Sequence, residues 1–209
     1  MKKNPLTEFG NTPIQTNTLS YCFFSYASPM EKIRSLEKDE QVIRLKKGMY
    51  VVSGEISGKP IDLCLCANHI YGPSYVSLQW ALRWYGLIPE RVYMLTSVTT
   101  KRTRTFENKL GTFSYMQVPK SYFPIGVKTH KEEQTTYLIA TPEKALCDTI
   151  LHDNHVPSLS IIGLREYLEQ DLRFNMDALP DFDIKIIEEC ASQGRKRNIF
   201  QNLIKIIEQ

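Results

Sequence analysis

Two short stretches constrain this chain more than anything else in it: IYGPSYVSLQWALRWYGLIPE, from Ile70 to Glu90, and LIATPEKALCD, from Leu138 to Asp148. Each joins a chain break, a capping side chain and an apolar run at helical spacing. In the first, Gly72 and Pro73 interrupt what precedes and Ser74 is placed to accept a hydrogen bond from an unpaired helix amide. Tyr75, Val76, Leu78, Ala81, Leu82 and Tyr85 then supply an apolar face that Gly86 and Pro89 end. The second predicts a helix with Thr141 as N-cap, Pro142 at its first position and Glu143 against the positive end of its dipole. Neither stretch pairs a nucleophile with a base. Both read as folding signals, so function has to be sought around them.

The 209 residues suffice for one sizeable core, or for a minimal N-terminal domain joined to a larger one. Met1-Lys2-Lys3 leads into polar, proline-containing sequence, and no segment approaches the ~20 apolar residues that span a bilayer. A cytoplasmic protein without a membrane partner is expected. The five cysteines are odd in number and sit in apolar runs, which predicts reduced, mostly buried thiols. Neither Cys64-x-Cys66 with His69 nor Cys147 with His152 and His155 has a second ligand pair at finger-like spacing, so no metal is expected. With no phosphate-cradling glycine loop, HExxH or G-x-S-x-G either, no cofactor and no enzymatic activity are expected.

Charge is distributed unevenly. Residues 1 to 60 hold nine Lys/Arg against six Asp/Glu, residues 91 to 131 eight against one, and residues 132 to 190 four against thirteen. A basic middle beside an acidic later part points to a polyanionic partner, unless each patch is only a solvated face.

From Thr16 to Tyr26 a short helix is expected. Ser28 and Pro29 then open a second one reaching about Lys38, with Met30, Ile33 and Leu36 inward and Lys32, Arg34, Ser35 and Lys38 outward. Val42 to Val52 reads as a hairpin turning at Gly48, its tip carrying Lys46 and Lys47. A helix followed by a basic-tipped hairpin is the pattern of a winged helix-turn-helix. Ser53 to Lys59 reads as a linker. Beyond it come a helix over Ile61 to Tyr71, strands over Arg91 to Thr99, Thr103 to Glu107, Thr112 to Val118 and Thr135 to Ala140, and helices over Leu159 to Leu172, Asp183 to Gln193 and Lys196 to Glu208. The expected fold class is α+β: a small winged helix-turn-helix over residues 1–56, then a larger mixed α+β domain over residues 57–209 that is expected to fold without the leader.

The order and wording of several blocks carry a resemblance: SPMEKIRSLEKDEQVIRLKKGMYV, the GPSYVSLQWAL helix, LTSVTTKRTRTF and ATPEKALCD, spread from about Tyr26 to Leu151. Together they resemble the AbiEi-type antitoxins, transcriptional regulators of type IV toxin–antitoxin and abortive-infection (phage-defence) loci. The resemblance implies binding to inverted-repeat double-stranded DNA at the chain's own promoter, as a dimer. It also implies a nucleotidyltransferase-like toxin as functional partner, without a stable complex. The chain departs from the family in having only about one helix's worth of sequence before Ser28. Rival readings are a stand-alone winged-helix transcription factor and a nucleic-acid-processing enzyme; against the latter, the acidic residues after Glu132 are scattered.

Two groups of residues are candidates for DNA contact. On the second helix, Lys32, Arg34, Ser35 and Lys38 form one face, and Arg34 is the candidate for a base edge because a guanidinium binds guanine O6 and N7 bidentately. Arg44, Lys46 and Lys47 would position the hairpin on the phosphate backbone. The second group is the KRTRTF segment with Lys101, Arg102 and Arg104, together with Lys109; it reads equally well as an edge strand guarded by its charges. Trp80, Trp84 and Tyr85, at helical spacing, read as core rather than as a base-stacking platform.

Overall fold

The computed structural model describes residues 4–132, 135–154, 156 and 160–209. His155 and the start of the helix expected from Leu159 lie outside them. The chain opens with a 3-10 turn, Pro5–Phe9, capped by the Asn4 side chain. Strand β1 (Ile14–Gln15), helices α1 (Thr16–Tyr21) and α2 (Pro29–Lys38), and strands β2 (Val42–Lys46) and β3 (Met49–Val52) follow. α2 begins where its local grammar puts it: Ser28 Oγ accepts from the Glu31 amide, and Pro29 occupies the first turn. Ile33 and Leu36 are buried, but Met30 is exposed, contrary to its expected inward role. β2 and β3 form the expected hairpin, with Gly48 at φ 85° in the turn, and β1 pairs with the other side of β3 in a three-stranded sheet of order β1-β3-β2.

The segment expected as a linker is folded. Gly54–Ser57 makes one helical turn, α3, and the Ser57 hydroxyl accepts from the Lys59 amide at 3.3 Å. Next come α4 (Leu63–Ile70), β4 (Ser74–Val76), α5 (Leu78–Trp84), β5 (Leu95–Thr99), β6 (Arg104–Asn108), β7 (Gly111–Gln117), β8 (Val127–Glu132), β9 (Thr135–Ala140) and α6 (Pro142–His152). α7 (Ile161–Glu166) runs into a π-helical turn, Tyr167–Asp171; a 3-10 turn, Met176–Asp181, leads to α8 (Ile184–Gln193) and α9 (Arg197–Ile207). The fold is mixed α+β. Its six-stranded sheet has the order β6-β7-β5-β4-β9-β8, with β4–β9 and β5–β7 parallel and the other pairs antiparallel. Among the described residues no helix is long and apolar enough to cross a membrane.

Ser74 is not a helix cap. It lies in β4, and α5 starts four residues later, after Ser77, whose hydroxyl caps nothing. The hydroxyls of Ser77 and Tyr75 donate instead to Asp148 Oδ2, at 2.6 and 3.0 Å. The two stretches that dominate the sequence therefore meet in the interior. There Asp148 pairs with Lys144 at 3.3 Å, both side chains fully buried, and Lys144 donates to the Tyr122 carbonyl at 3.1 Å while lying over its ring. Trp84 is also displaced from its expected core role: it is 43% exposed, packed edge-on against Tyr85 and His130.

Side chains gather into two cores. The smaller takes Leu6, Leu19, Ile33, Leu36 and their neighbours; the larger fills the space around the six-stranded sheet. β3 serves both. Because side chains alternate along a strand, Met49 and Val51 enter the larger core while Tyr50 and Val52 enter the smaller.

Candidate nucleic-acid interface

Of the basic residues expected from the sequence, those of the β2–β3 hairpin meet those of the KRTRTF segment at the seam between the two sheets, while those of α2 do not. β2 lies against β6, and Asn108 Nδ2 donates to the Leu45 carbonyl at 3.0 Å. Lys109 bonds Glu40 at 2.8 Å, fastening the far end of the same hairpin to the segment after α2 and holding the Glu40 carboxyl below its ordinary pKa. β2 carries a register irregularity between Arg44 and Lys46, of the kind that re-aims a side chain.

Lys46 is half-buried at the seam, donating to the Ile70 carbonyl at 2.5 Å, at the C-terminal end of α4. Lys101 donates to the Gly72 carbonyl, also at 2.5 Å, and stands 5.2 Å from the Tyr71 ring centroid. Arg104 lies over Phe106 at 4.8 Å, and Phe106 packs against Tyr71 and Tyr115. Burial first, then the positive charges of Lys101 and Arg104, hold the Lys46 ammonium below its ordinary pKa. Lys101 and Arg104, each over an aromatic ring, are thus close enough to Lys46 to disfavour its charge. Folding gains from the hydrogen bonds to carbonyl oxygens and from cation–π contact, and a bound anion would offset the repulsion at Lys46.

Beside this cluster a groove of about 330 Å³ is lined by Arg44, Lys46, Lys47 and Lys109, with Glu37 and Glu107 among its walls. Arg44, Lys47 and Arg102 are exposed, and none has an ion pair among the described residues. Free surface cations of this kind suit phosphate oxygens.

The exposed face of α2 is less suited to reading bases than its composition implied. Arg34 is held by Glu31 one turn earlier on the same helix, Ser35 Oγ donates to Asp39 Oδ2 at 3.2 Å, and Lys32 stands over the Tyr26 ring at 5.8 Å. Lys38 is exposed without an ion pair among the described residues. To reach a guanine edge, Arg34 has to exchange Glu31 for the base. That exposed pair is cheap to break, by about 0.5 kcal/mol. α2 remains a possible reader only in a form that releases it.

Sequence reasoning missed a third basic group. Arg195, Lys196 and Arg197 occupy the turn between α8 and α9, on the side of the molecule where Thr103 lies. The signal was present as the run GRKR, but it falls between two helical periods and reads first as a helix stop and start. Among the described residues no three His, Cys, Asp or Glu side chains gather as a metal site. The chain matches no protein-family model and no curated protein.

Proposed function

We propose that this chain is a DNA-binding regulator and antitoxin of the AbiEi kind, in which the hairpin β2–β3 and the hairpin β6–β7 grip one phosphate backbone together. The observation that carries this reading is the approach of Lys46, from one sheet, to Arg104 of the other sheet and to Lys101 in the segment before it, the last two lying over Phe106 and Tyr71. The order 3-10 turn, strand, two helices and two strands, with the first strand beside the last, is compatible with a winged helix whose first helix is reduced to a turn, and on this reading α2 would be the recognition helix. The acidic neighbours of α2 favour a mechanism in which affinity comes from the seam and sequence preference from α2 only after Arg34 leaves Glu31.

The partner would be the chain's own promoter, bound by two copies across an inverted repeat. Neutralisation of a nucleotidyltransferase-like toxin encoded nearby, without a stable complex, rests on the sequence resemblance alone. A stand-alone transcription factor differs from this reading only in lacking such a neighbour gene.

Fluorescence anisotropy with a duplex from the upstream region tests the interface. Wild-type affinity is expected to fall with salt at a slope of about −0.9 per phosphate neutralised in log K against log salt. The double variant K101A/R104A should weaken binding to operator and random duplex alike and reduce the slope by roughly 2. Arg34→Ala should leave the slope nearly unchanged and lower operator preference by about 1 to 3 kcal/mol. A K101A/R104A protein with wild-type affinity and slope would remove the seam from DNA binding.

A further inference from the structure

A second cavity lies at the open end of the β6–β7 hairpin, opposite its Lys109 turn, where Thr103 directly precedes Arg104. It has a volume of about 480 Å³, and Thr103, Gln117, His152, Gly194 and Arg195 line it with Val118 as an apolar wall. That volume lies within the range of small-ligand sites. Its polar groups come from four places in the chain: the segment leading into β6, the end of β7, the end of α6, and the α8–α9 turn.

Two features suit the cavity to an anion. Arg195 is exposed at its rim and has no ion pair or hydrogen bond among the described residues. His152 Nε2 is buried without a hydrogen-bond partner among the described residues; burial first, then the charges of Lys144, Lys196 and Arg195 acting against that of Asp148, hold the imidazole below its ordinary pKa. The imidazole is therefore a neutral group with one unsatisfied nitrogen, able to donate once its tautomer places a proton there. Lys196 is not available, since its ammonium already donates to the Ile150 and Asp153 carbonyls at 2.8 and 2.6 Å. Its role is to fix the turn. Gly194 holds the turn close in: a Cβ there would meet the Cys190 carbonyl oxygen at 2.7 Å and the Phe200 ring at 3.1 Å. The tight turn is what places Arg195 over the cavity.

The positive residues of this turn also oppose the helix that follows. α9 starts at Arg197 with no side-chain cap and no acidic residue in its first turn, so Arg195, Lys196 and Arg197 cluster at the positive end of its dipole. An anion in the cavity would offset both the clustering and the orphan imidazole nitrogen.

We propose that this cavity is a phosphate-binding subsite, with Arg195 as the charge partner, the Thr103 and Gln117 side chains and His152 as the polar contacts, and a nucleotide phosphate as the group it takes, free or within a strand. The subsite shares no lining residue with the groove beside the seam. The test is calorimetric titration of the full chain with AMP and with inorganic phosphate, and anisotropy with a duplex, each on wild type, Arg195→Ala, Arg195→Lys and Lys205→Ala. Arg195 is exposed, so the alanine variant should fold, which circular dichroism checks. If the ligand is free, AMP binds wild type, Arg195→Ala weakens it roughly tenfold or more, Arg195→Lys restores part of the loss, and Lys205→Ala has no effect. If the phosphate belongs to a strand, AMP gives no heat, while Arg195→Ala lowers the duplex salt slope by roughly 1. AMP, phosphate and duplex titrations that are all indifferent to Arg195 would overturn the proposal. A wild type that ignores duplex DNA but binds AMP through Arg195 would sink the DNA reading and leave the subsite standing.

Discussion

Lys144 and Asp148 form the most demanding contact in the molecule, an ion pair with both side chains wholly enclosed and three further donors and acceptors arranged around it. A buried pair of this kind contributes little net stability, yet removing one member leaves the other charged and unsolvated. Asp148→Ala should therefore cost about 3 to 5 kcal/mol, read as a shift in the urea midpoint. The joint replacement of Lys144 by Met and Asp148 by Leu should cost clearly less than the two single changes added together; strict additivity would show that the pair is not coupled. His152 makes a second prediction at this scale. Burial above all holds its imidazole below the ordinary 6.5, with Lys144, Lys196 and Arg195 acting in the same direction and Asp148 against them. As pH falls below that value the unfolded chain takes up the proton first, so stability declines with falling pH and levels off once the folded value is passed. Burial shifts His69 in the same direction. Urea midpoints measured between about pH 8 and about pH 5 should fall for wild type and fall less for His152→Gln; parallel curves would remove His152 from the linkage.

At the scale of elements, legibility followed local grammar. α2, α6 and the β2–β3 hairpin carry their own caps and turn residues, and Ser28, Thr141 and Gly48 do what their positions announce. The same grammar misled at Ser74. Two serines precede the apolar run, and the one that looked like a cap was drawn into β4, because Tyr75 and Ser77 have a tertiary partner in Asp148, 73 and 71 residues away. No local pattern could reveal that partner. β8 escaped detection for a different reason: as an edge strand mostly exposed along VKTHKE, it lacks the apolar alternation by which strands are read. The candidate interface was legible as two basic groups but not as one seam. Their meeting depends on β2 packing against β6, a contact between residues some sixty positions apart, such as Asn108 and Leu45.

For the whole molecule, β3 decides how separable the parts are. A chain starting at Lys59 loses Leu45, Met49 and Val51 from the larger core, each contributing about 1.5 to 3 kcal/mol through burial. It also leaves β6 without its neighbour β2. Such a fragment should be strongly destabilised or aggregate, and the full chain should unfold in one calorimetric transition; two resolved transitions would mean that the cores melt independently. The expectation of a freely folding later domain, drawn from its complete set of local signals, overlooked that its core borrows side chains from the first part. A strand with one face in each core has a further consequence for ancestry and for design. The first sixty residues cannot be exchanged as a cassette with those of another protein, however similar their outline, unless the incoming last strand presents matching side chains at 49 and 51 as well as at 50 and 52. Variation in the two halves is bound to be correlated through those four positions.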